Sequence, residues 1–313
     1  MDIGSVCLLG GTGFVGRAIA DQATARGIRV RVLTRRLSRA RPLTVLPTVE
    51  LMAGDPGDEK TLEAAFEGMD AAVNLVGILN EAHGQRFTTI HAELPRKAAQ
   101  ACRASGVQHL VHVSALGASE KAPSRYLRSK AAGEAALRLA STEVAWTVLR
   151  PSVIFGEDDR FLNLFAELVR LFPVVPLAGA RARFQPVWVE DVARCCIAAL
   201  GNPAAYGQAF DLCGPRVYTL EELVRFVAST LALDRAIVAL PGPLAQLQAF
   251  VLEHLPGRLM TRDNLRSMSV DNVCSGRPPA FCAFEPSSIE AVVPAYLGPQ
   301  SIGERYARYR AER

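Results

Sequence analysis

The chain has 313 residues, of which 50% are apolar, 7% aromatic and 21% charged, with a formal net charge of +4. That length and apolar share suit one large domain, or a domain with a smaller companion, and exclude a disordered or fibrous chain. The positive charge is weak and scattered, clustering only at Arg35–Arg41 and at the C-terminus, so no nucleic-acid partner is expected.

In chain order, short apolar runs alternate with amphipathic stretches over the first 155 residues. This is the pattern of a doubly wound parallel α/β sheet. Strands are predicted at Ser5–Leu9, Arg29–Thr34, Val49–Ala53, Ala71–Leu79, Leu110–Ser114 and Ala145–Leu149. Helices are predicted over Phe14–Ala25, around Leu62, Ala65 and Phe66 with Asp58 as cap, over Phe87–Ala104, and over Tyr126–Ala140. The rhythm then changes. Residues 157–182 are rich in Phe, Leu and Pro and lack the strand–helix period. Val187–Val189 reads as a strand, Asp191–Leu200 as a helix, and Phe210–Leu212 and Ile237–Leu240 as short strands. Thr219–Leu231 reads as a helix opened by a capping box of Thr219 and Glu222. The organisation predicted is a dinucleotide-binding domain over 1–156, to which 186–212 returns, and a smaller substrate- or partner-side portion over 157–185 and 213–313.

The strongest local signal is VCLLGGTGFVGRAIA, residues 6–20. Gly10, Gly13 and Gly16 follow a strand and open a helix. The first makes a sharp turn, the second lets a pyrophosphate approach the backbone, and the third lets the helix pack close to the strand. At the end of the second strand stand Thr34, Arg35 and Arg36, with no acid until Glu50. An acid there would suit the ribose 2′-hydroxyl of NAD(H). Two guanidinium groups suit a 2′-phosphate, which favours NADP(H) over NAD(H).

YLRSKAAGE, residues 126–134, places Tyr126, Lys130, Gly133 and Leu137 along one helix face. It reads either as a proton-transfer pair or as an ordinary helix face. The chain has only four lysines, so a lysine here carries some information. In a reductase its ammonium lowers the tyrosine pKa and meets ribose hydroxyls, and the tyrosine protonates the substrate oxygen.

The glycine loop together with Tyr126-x-x-x-Lys130 resembles the short-chain dehydrogenase/reductase superfamily, with its Rossmann fold. The segments LRPSVIFGEDDRFLNLFAELVR (149–170), RFQPVWVEDVA (183–193) and, more loosely, TRDNLRSMSVDNV (261–273) resemble its atypical, epimerase/dehydratase-like branch. That branch contains the nucleotide-binding accessory subunit of respiratory complex I and stand-alone bacterial relatives. The resemblance implies that Gly10, Thr12, Gly13, Phe14, Val15 and Gly16 hold the pyrophosphate, with Arg35 and Arg36 at the 2′-phosphate. Asp55 would border the adenine, Val76 and Gly77 the cofactor ribose, and Pro151, Ser152 and Val153 the carboxamide. Tyr126, Lys130 and Ser114 would be catalytic. There are two departures: His91 stands where many extended members carry Asn, and Ser114 lies only twelve residues before Tyr126.

Arg160, Phe161, Phe184 and Gln185 are candidates to line a substrate pocket, for a quinone-like or otherwise apolar carbonyl compound. The reading leaves two functions open: an NADP(H)-dependent oxidoreductase, or a nucleotide-holding accessory or assembly protein that does not turn over, linked to respiratory-chain or quinone metabolism. The histidines show no metal pattern, and His109 and His112, three apart on a strand, are expected on opposite faces. Asp158 and Asp159 read as solvated charges. Leu244, Leu247, Val251 and Leu255 form an apolar stripe, expected to pack on the main domain and otherwise to meet a membrane surface or a partner within 244–255. The tail ERYARYRAER reads as a basic amphipathic helix or a frayed end. Seven irregularly spaced cysteines without C-x-x-C read as reduced thiols. Met1 leads directly into a strand pattern, leaving no room for a leader, and no apolar run reaches about 18 residues. Together these predict a cytoplasmic location without a membrane span.

Overall fold

Strand β1 (Ser5–Leu9) is buried along its whole length, as an apolar run covered on both faces must be. It pairs in parallel with β2 (Arg29–Thr34) on one side and β4 (Ala71–Asn74) on the other. Strands β3 (Val49–Ala53), β5 (His109–Val113) and β6 (Ala145–Pro151), with Gln208–Leu212 at the edge, complete a seven-stranded parallel sheet. The chain runs outward from β1 through β2 to β3, then returns to lay β4, β5 and β6 on the other side. The order reverses between β1 and β4, so the loops leaving their carboxyl ends diverge and open a crevice. This is the doubly wound Rossmann-like fold.

The computed structural model describes residues 3–81, 84–254, 260–276 and 278–298. They divide into two units. The first comprises the chain up to Pro151, Val189–Leu212 and Gly276–Phe284; the second comprises Ser152–Trp188, Cys213–Ser275 and the chain from Glu285. The sequence rhythm had placed the breaks at 156 and 186 and left 276–284 in the smaller portion. In the first unit, helices α1 (Phe14–Ala25), α2 (Glu59–Phe66), α3 (Leu94–Ala104) and α4 (Arg125–Ala140) flank the sheet. Its core gathers Leu9, Leu62, Phe66, Leu110, Leu137 and Val148. Asp58 caps α2 through Thr61, and Ser124 caps α4 through Leu127. The second unit packs Leu162–Leu171, Leu220–Thr230 and Ile289–Leu297 around Phe155, Phe165, Leu223 and Val293. Thr219 and Glu222 form the expected capping box.

Several expectations are corrected. Strand β4 stops at Asn74, not Leu79, because the Asn74 carboxamide accepts from the Val76 N–H and turns the chain out of the sheet. The helix expected over 87–104 is a wide π turn, Thr88–Glu93, followed by α3. Residues 157–182 do contain a helix and a strand, Leu162–Leu171 and Val174–Leu177. Asp159 is buried, with its carboxylate accepting from the Gly156, Phe161 and Leu162 N–H groups. Four of the cysteines are not reduced thiols: Cys195 bonds Cys282, and Cys213 bonds Cys274. Separations of 87 and 61 residues left no local spacing to read. Cys7, Cys102 and Cys196 are free and buried. The thiol argument for a cytoplasmic location therefore falls away. Helix Gly242–His254 buries Ala245 and Ala249, while Leu244, Leu247 and Val251 stay about half exposed. Leu255 and the tail 304–313 lie outside the described residues. Among the described residues no helix is long and apolar enough to cross a membrane.

Candidate functional site

The glycine loop sits at the crevice. Gly10 holds φ +86°, a left-handed value that only glycine adopts freely, and a β-carbon on it would press on the backbone of Leu75 and Val76. A β-carbon on Gly16 would lie 2.5 Å from the Gly10 carbonyl oxygen, so α1 can start this close to β1 only with glycine there. The cap residue of α1 is Gly13, with no side-chain cap and no acid in the first turn. Its first N–H groups, beginning at Phe14 and Val15, are thus not taken by a side-chain cap, and half-buried Thr12 precedes them in the loop. These residues fit an anionic pyrophosphate. At the end of β2, Arg35 and Arg36 are exposed, and their side chains make no ion pair or hydrogen bond with the described residues. Asp55 is exposed after β3, and its carboxylate accepts from the Gly57 N–H in a tight turn.

The second part of the site joins β4, β5 and α4. Lys130 is buried and its Nζ donates to the Val113 carbonyl at the end of β5, 3.0 Å away. The Cα of Gly77 faces the same ammonium: a β-carbon there would meet Lys130 Nζ at 3.3 Å and His91 Nε2 at 3.6 Å. Val76 is half-buried beside it. Ser114 follows β5. Its N–H donates to the Leu149 carbonyl, and its hydroxyl is buried with no hydrogen-bond partner among the described residues. An orphaned buried hydroxyl is rare unless a ligand completes it. Tyr126 opens α4, its ring edge-on to Phe87 and to His91, with centroids 6.2 and 5.7 Å away. Glu81 steadies this corner: it accepts from the Phe87 N–H and pairs with Arg125 at 2.7 Å. The expected stripe is real, because a β-carbon on Gly133 would overlap the His91 carbonyl oxygen.

Burial dominates the electrostatics. It pushes the Tyr126 hydroxyl up to about 12, so Lys130 does not lower it as expected. Burial also pulls Lys130 down to about 8, against the attraction of Glu134, which works to raise it. His91 is held down at about 3 by burial and then by the Lys130 charge, and is neutral. His109 and His112 do take opposite faces. His109 bonds Thr147 and the Gly201 N–H, whereas His112 feels Lys130 and His91 and has neither ring nitrogen paired among the described residues.

The remaining expected residues are placed as follows. Pro151 ends β6, and its carbonyl accepts from the Leu116 N–H. In the second unit, Asn272 anchors Ser152 and Val153: its Oδ1 accepts from the Ser152 hydroxyl at 2.6 Å and the Val153 N–H at 3.0 Å. Asn272 went unassigned from sequence, lying about 120 residues from its partners. Phe184 is buried in that unit's core and packs on Phe161 at 5.4 Å. Gln185 is spent on backbone, donating to Gly214 and accepting from Cys274. Both have packing or hydrogen-bonding partners within their unit. Arg160 is exposed. Among the described residues no group of three His, Cys, Asp or Glu side chains could hold a metal.

A family model described as NAD(P)H-binding matches residues 10–203. The chain belongs to this NAD(P)H-binding family. It is 34% identical to subunit 9 of the NADH dehydrogenase (ubiquinone) 1 alpha subcomplex of Mus musculus, over 76% of this chain and 63% of that one. It thus spans less than two thirds of that mitochondrial relative. It is 31% identical to a ceramide reductase of Caulobacter vibrioides, over 77% of this chain and 74% of that one. The solved triphenylmethane reductase of a Citrobacter species shares the fold at TM-score 0.75 and 15% identity, covering 94% of this chain and 99% of that one. The relatives this chain resembles thus include both an NADH dehydrogenase subunit and a reductase.

Proposed function

We propose that this protein is a reductase that uses NADPH in preference to NADH and acts on a carbonyl group of an apolar, lipid-like or quinone-like small molecule. The observation that carries the reading is the grouping of half-buried Tyr126, buried Lys130 and the Ser114 hydroxyl, which has no partner among the described residues, with a glycine loop. Bound nicotinamide supplies the hydride. Tyr126, with its hydroxyl pushed up to about 12, is protonated at neutral pH and donates its proton to the substrate oxygen as a general acid. Ser114 Oγ, not spent on the protein, donates a second hydrogen bond to the same oxygen. Lys130 presents its charge to the ribose. Arg35 and Arg36 pair with the 2′-phosphate. The ceramide reductase relative supports a lipid-like carbonyl substrate.

The test is a fluorescence titration with NADPH and NADH, followed by turnover on long-chain ketones and quinones. NADPH binding at least about tenfold tighter than NADH, abolished as a preference by Arg35→Ser with Arg36→Ser, is the expected result. Equal affinities would remove the 2′-phosphate reading.

A second reading is favoured by the half-exposed stripe Leu244, Leu247 and Val251 and by the complex I relative: a nucleotide-holding subunit that docks to a partner and does not turn over. Tight nucleotide retained through purification, with no turnover of long-chain ketones or quinones, would select it.

A further inference from the structure

One side chain touches both halves of the site and has no role in the chemistry above. We propose that His91 is a positioning residue whose two ring nitrogens tie the cofactor-side turn after β4 to the tyrosine-bearing first turn of α4. The proposal rests on the reading of Tyr126 and Lys130 given above.

The hydrogen bonds fix the tautomer. The Ile78 backbone N–H can only donate, and it lies 3.0 Å from His91 Nε2, so Nε2 carries no proton. In a neutral imidazole the proton is then on Nδ1, which donates to Ser129 Oγ at 2.8 Å. The Ser129 hydroxyl, having accepted, donates onward to the Tyr126 carbonyl at 2.6 Å. A one-directional chain therefore runs from Ile78, next to Gly77, through the imidazole to the backbone of Tyr126. The ring is held flat against Phe87, with centroids 5.3 Å apart, and meets Tyr126 edge-on. Its own carbonyl fills the space that the missing side chain of Gly133 leaves. The π turn Thr88–Glu93 carries the residue to this point, and such wide turns concentrate at functional sites.

Why a neutral ring suits the place follows from its surroundings. Lys130 lies against the same Gly77 position, and a second cation there would repel it. An imidazole kept neutral offers one donor and one acceptor in a rigid plane, which orients two backbone segments without adding charge. Asparagine, shorter, can reproduce the Nδ1 donor but cannot reach the Ile78 N–H. Glutamine can reach Ile78 with its amide oxygen but loses the bond to Ser129. The two variants thus divide the clamp.

His91→Gln, which keeps the cofactor-side bond, is expected to lower kcat by about fivefold to tenfold with KM for NADPH nearly unchanged. His91→Asn, which keeps the Ser129 bond, is expected to raise KM and Kd for NADPH about fivefold to tenfold and to lower kcat less than His91→Gln does. Parallel losses in both variants, tracking a common fall in Tm, would overturn the proposal and leave His91 a packing residue. So would no change in either. A measurement on the unaltered protein covers the case of variants that do not fold. NMR of protein carrying ¹⁵N-histidine should show one buried histidine protonated at Nδ1 and untitrated from pH 8 to about pH 5. His109 should be the opposite tautomer, because its Nδ1 accepts from the Gly201 N–H. Finding no buried Nδ1–H histidine overturns the clamp. If Tyr126→Phe leaves turnover intact, the general-acid role of Tyr126 fails alone, and the tautomer and the NADPH affinities still decide the role of His91.

Discussion

Two helices carry side chains at the same spacing and end in opposite situations. On α4, Lys130, Gly133 and Leu137 are buried, and Tyr126 is half-buried between two rings. On Gly242–His254, Leu244, Leu247 and Val251 stay open, and the helix packs through Ala245 and Ala249 instead. Spacing identifies a face in both cases. It does not say what covers that face. On α4 the cover is the π turn Thr88–Glu93, which reaches Gly133 with the His91 carbonyl. The lesson is that a buried polar stripe marks chemistry only when another element has been shaped to fit it.

That contrast can be broken or sharpened in order of effect. The largest change is expected from Tyr126→Phe, which removes the proton donor and keeps the ring packing. It should lower kcat on the order of 10²–10⁴-fold with Tm within a degree or two, measured by steady-state turnover and calorimetry. Gly133→Ala should come next, because its methyl group overlaps the His91 carbonyl and forces α4 off its seat. A destabilisation of about 1–3 kcal/mol, read by urea unfolding, is expected together with loss of activity.

A pH effect follows. Lys130, at about 8, is charged below that pH and neutral above it, so kcat/KM should fall as pH rises through about 8. Stability has a separate window. His91 at about 3 and His109 at about 4 both lie below the ordinary 6.5, so the unfolded chain takes up protons first. Their contribution is complete above about pH 6.5 and is lost as pH falls toward 4 and then 3, which acid-titrated unfolding curves should show. The smallest effect is expected from Leu247→Gln with Val251→Gln on the open stripe. Stability should stay within about 0.5 kcal/mol. A larger loss would show that this face is covered in solution, and would make it the counterpart of α4.

Much of this was legible in the chain of letters. Gly10, Gly13 and Gly16 stand at positions set by local geometry, and β1, β2 and β3 were bounded by turns a few residues away. Capping at Asp58 and at Thr219 with Glu222 depends on residues three apart, so it too could be read directly. What the sequence could not show lies where partners are distant. His91 meets Ser129 across 38 residues, Asn272 meets Ser152 across 120, and Cys213 meets Cys274 across 61. The partners of Phe184 and Gln185 are likewise distant: Phe184 joins the second unit's core, and Gln185 bonds Gly214 and Cys274. The sequence by itself therefore determined the doubly wound sheet, the nucleotide loop and the face shared by Tyr126 and Lys130. These follow from backbone periodicity and steric limits that act within a few residues. Only the tertiary structure decided which polar groups are spent and which, like the Ser114 hydroxyl, have no hydrogen-bond partner among the described residues. Satisfying a buried donor or acceptor depends on which distant segment the fold brings to it.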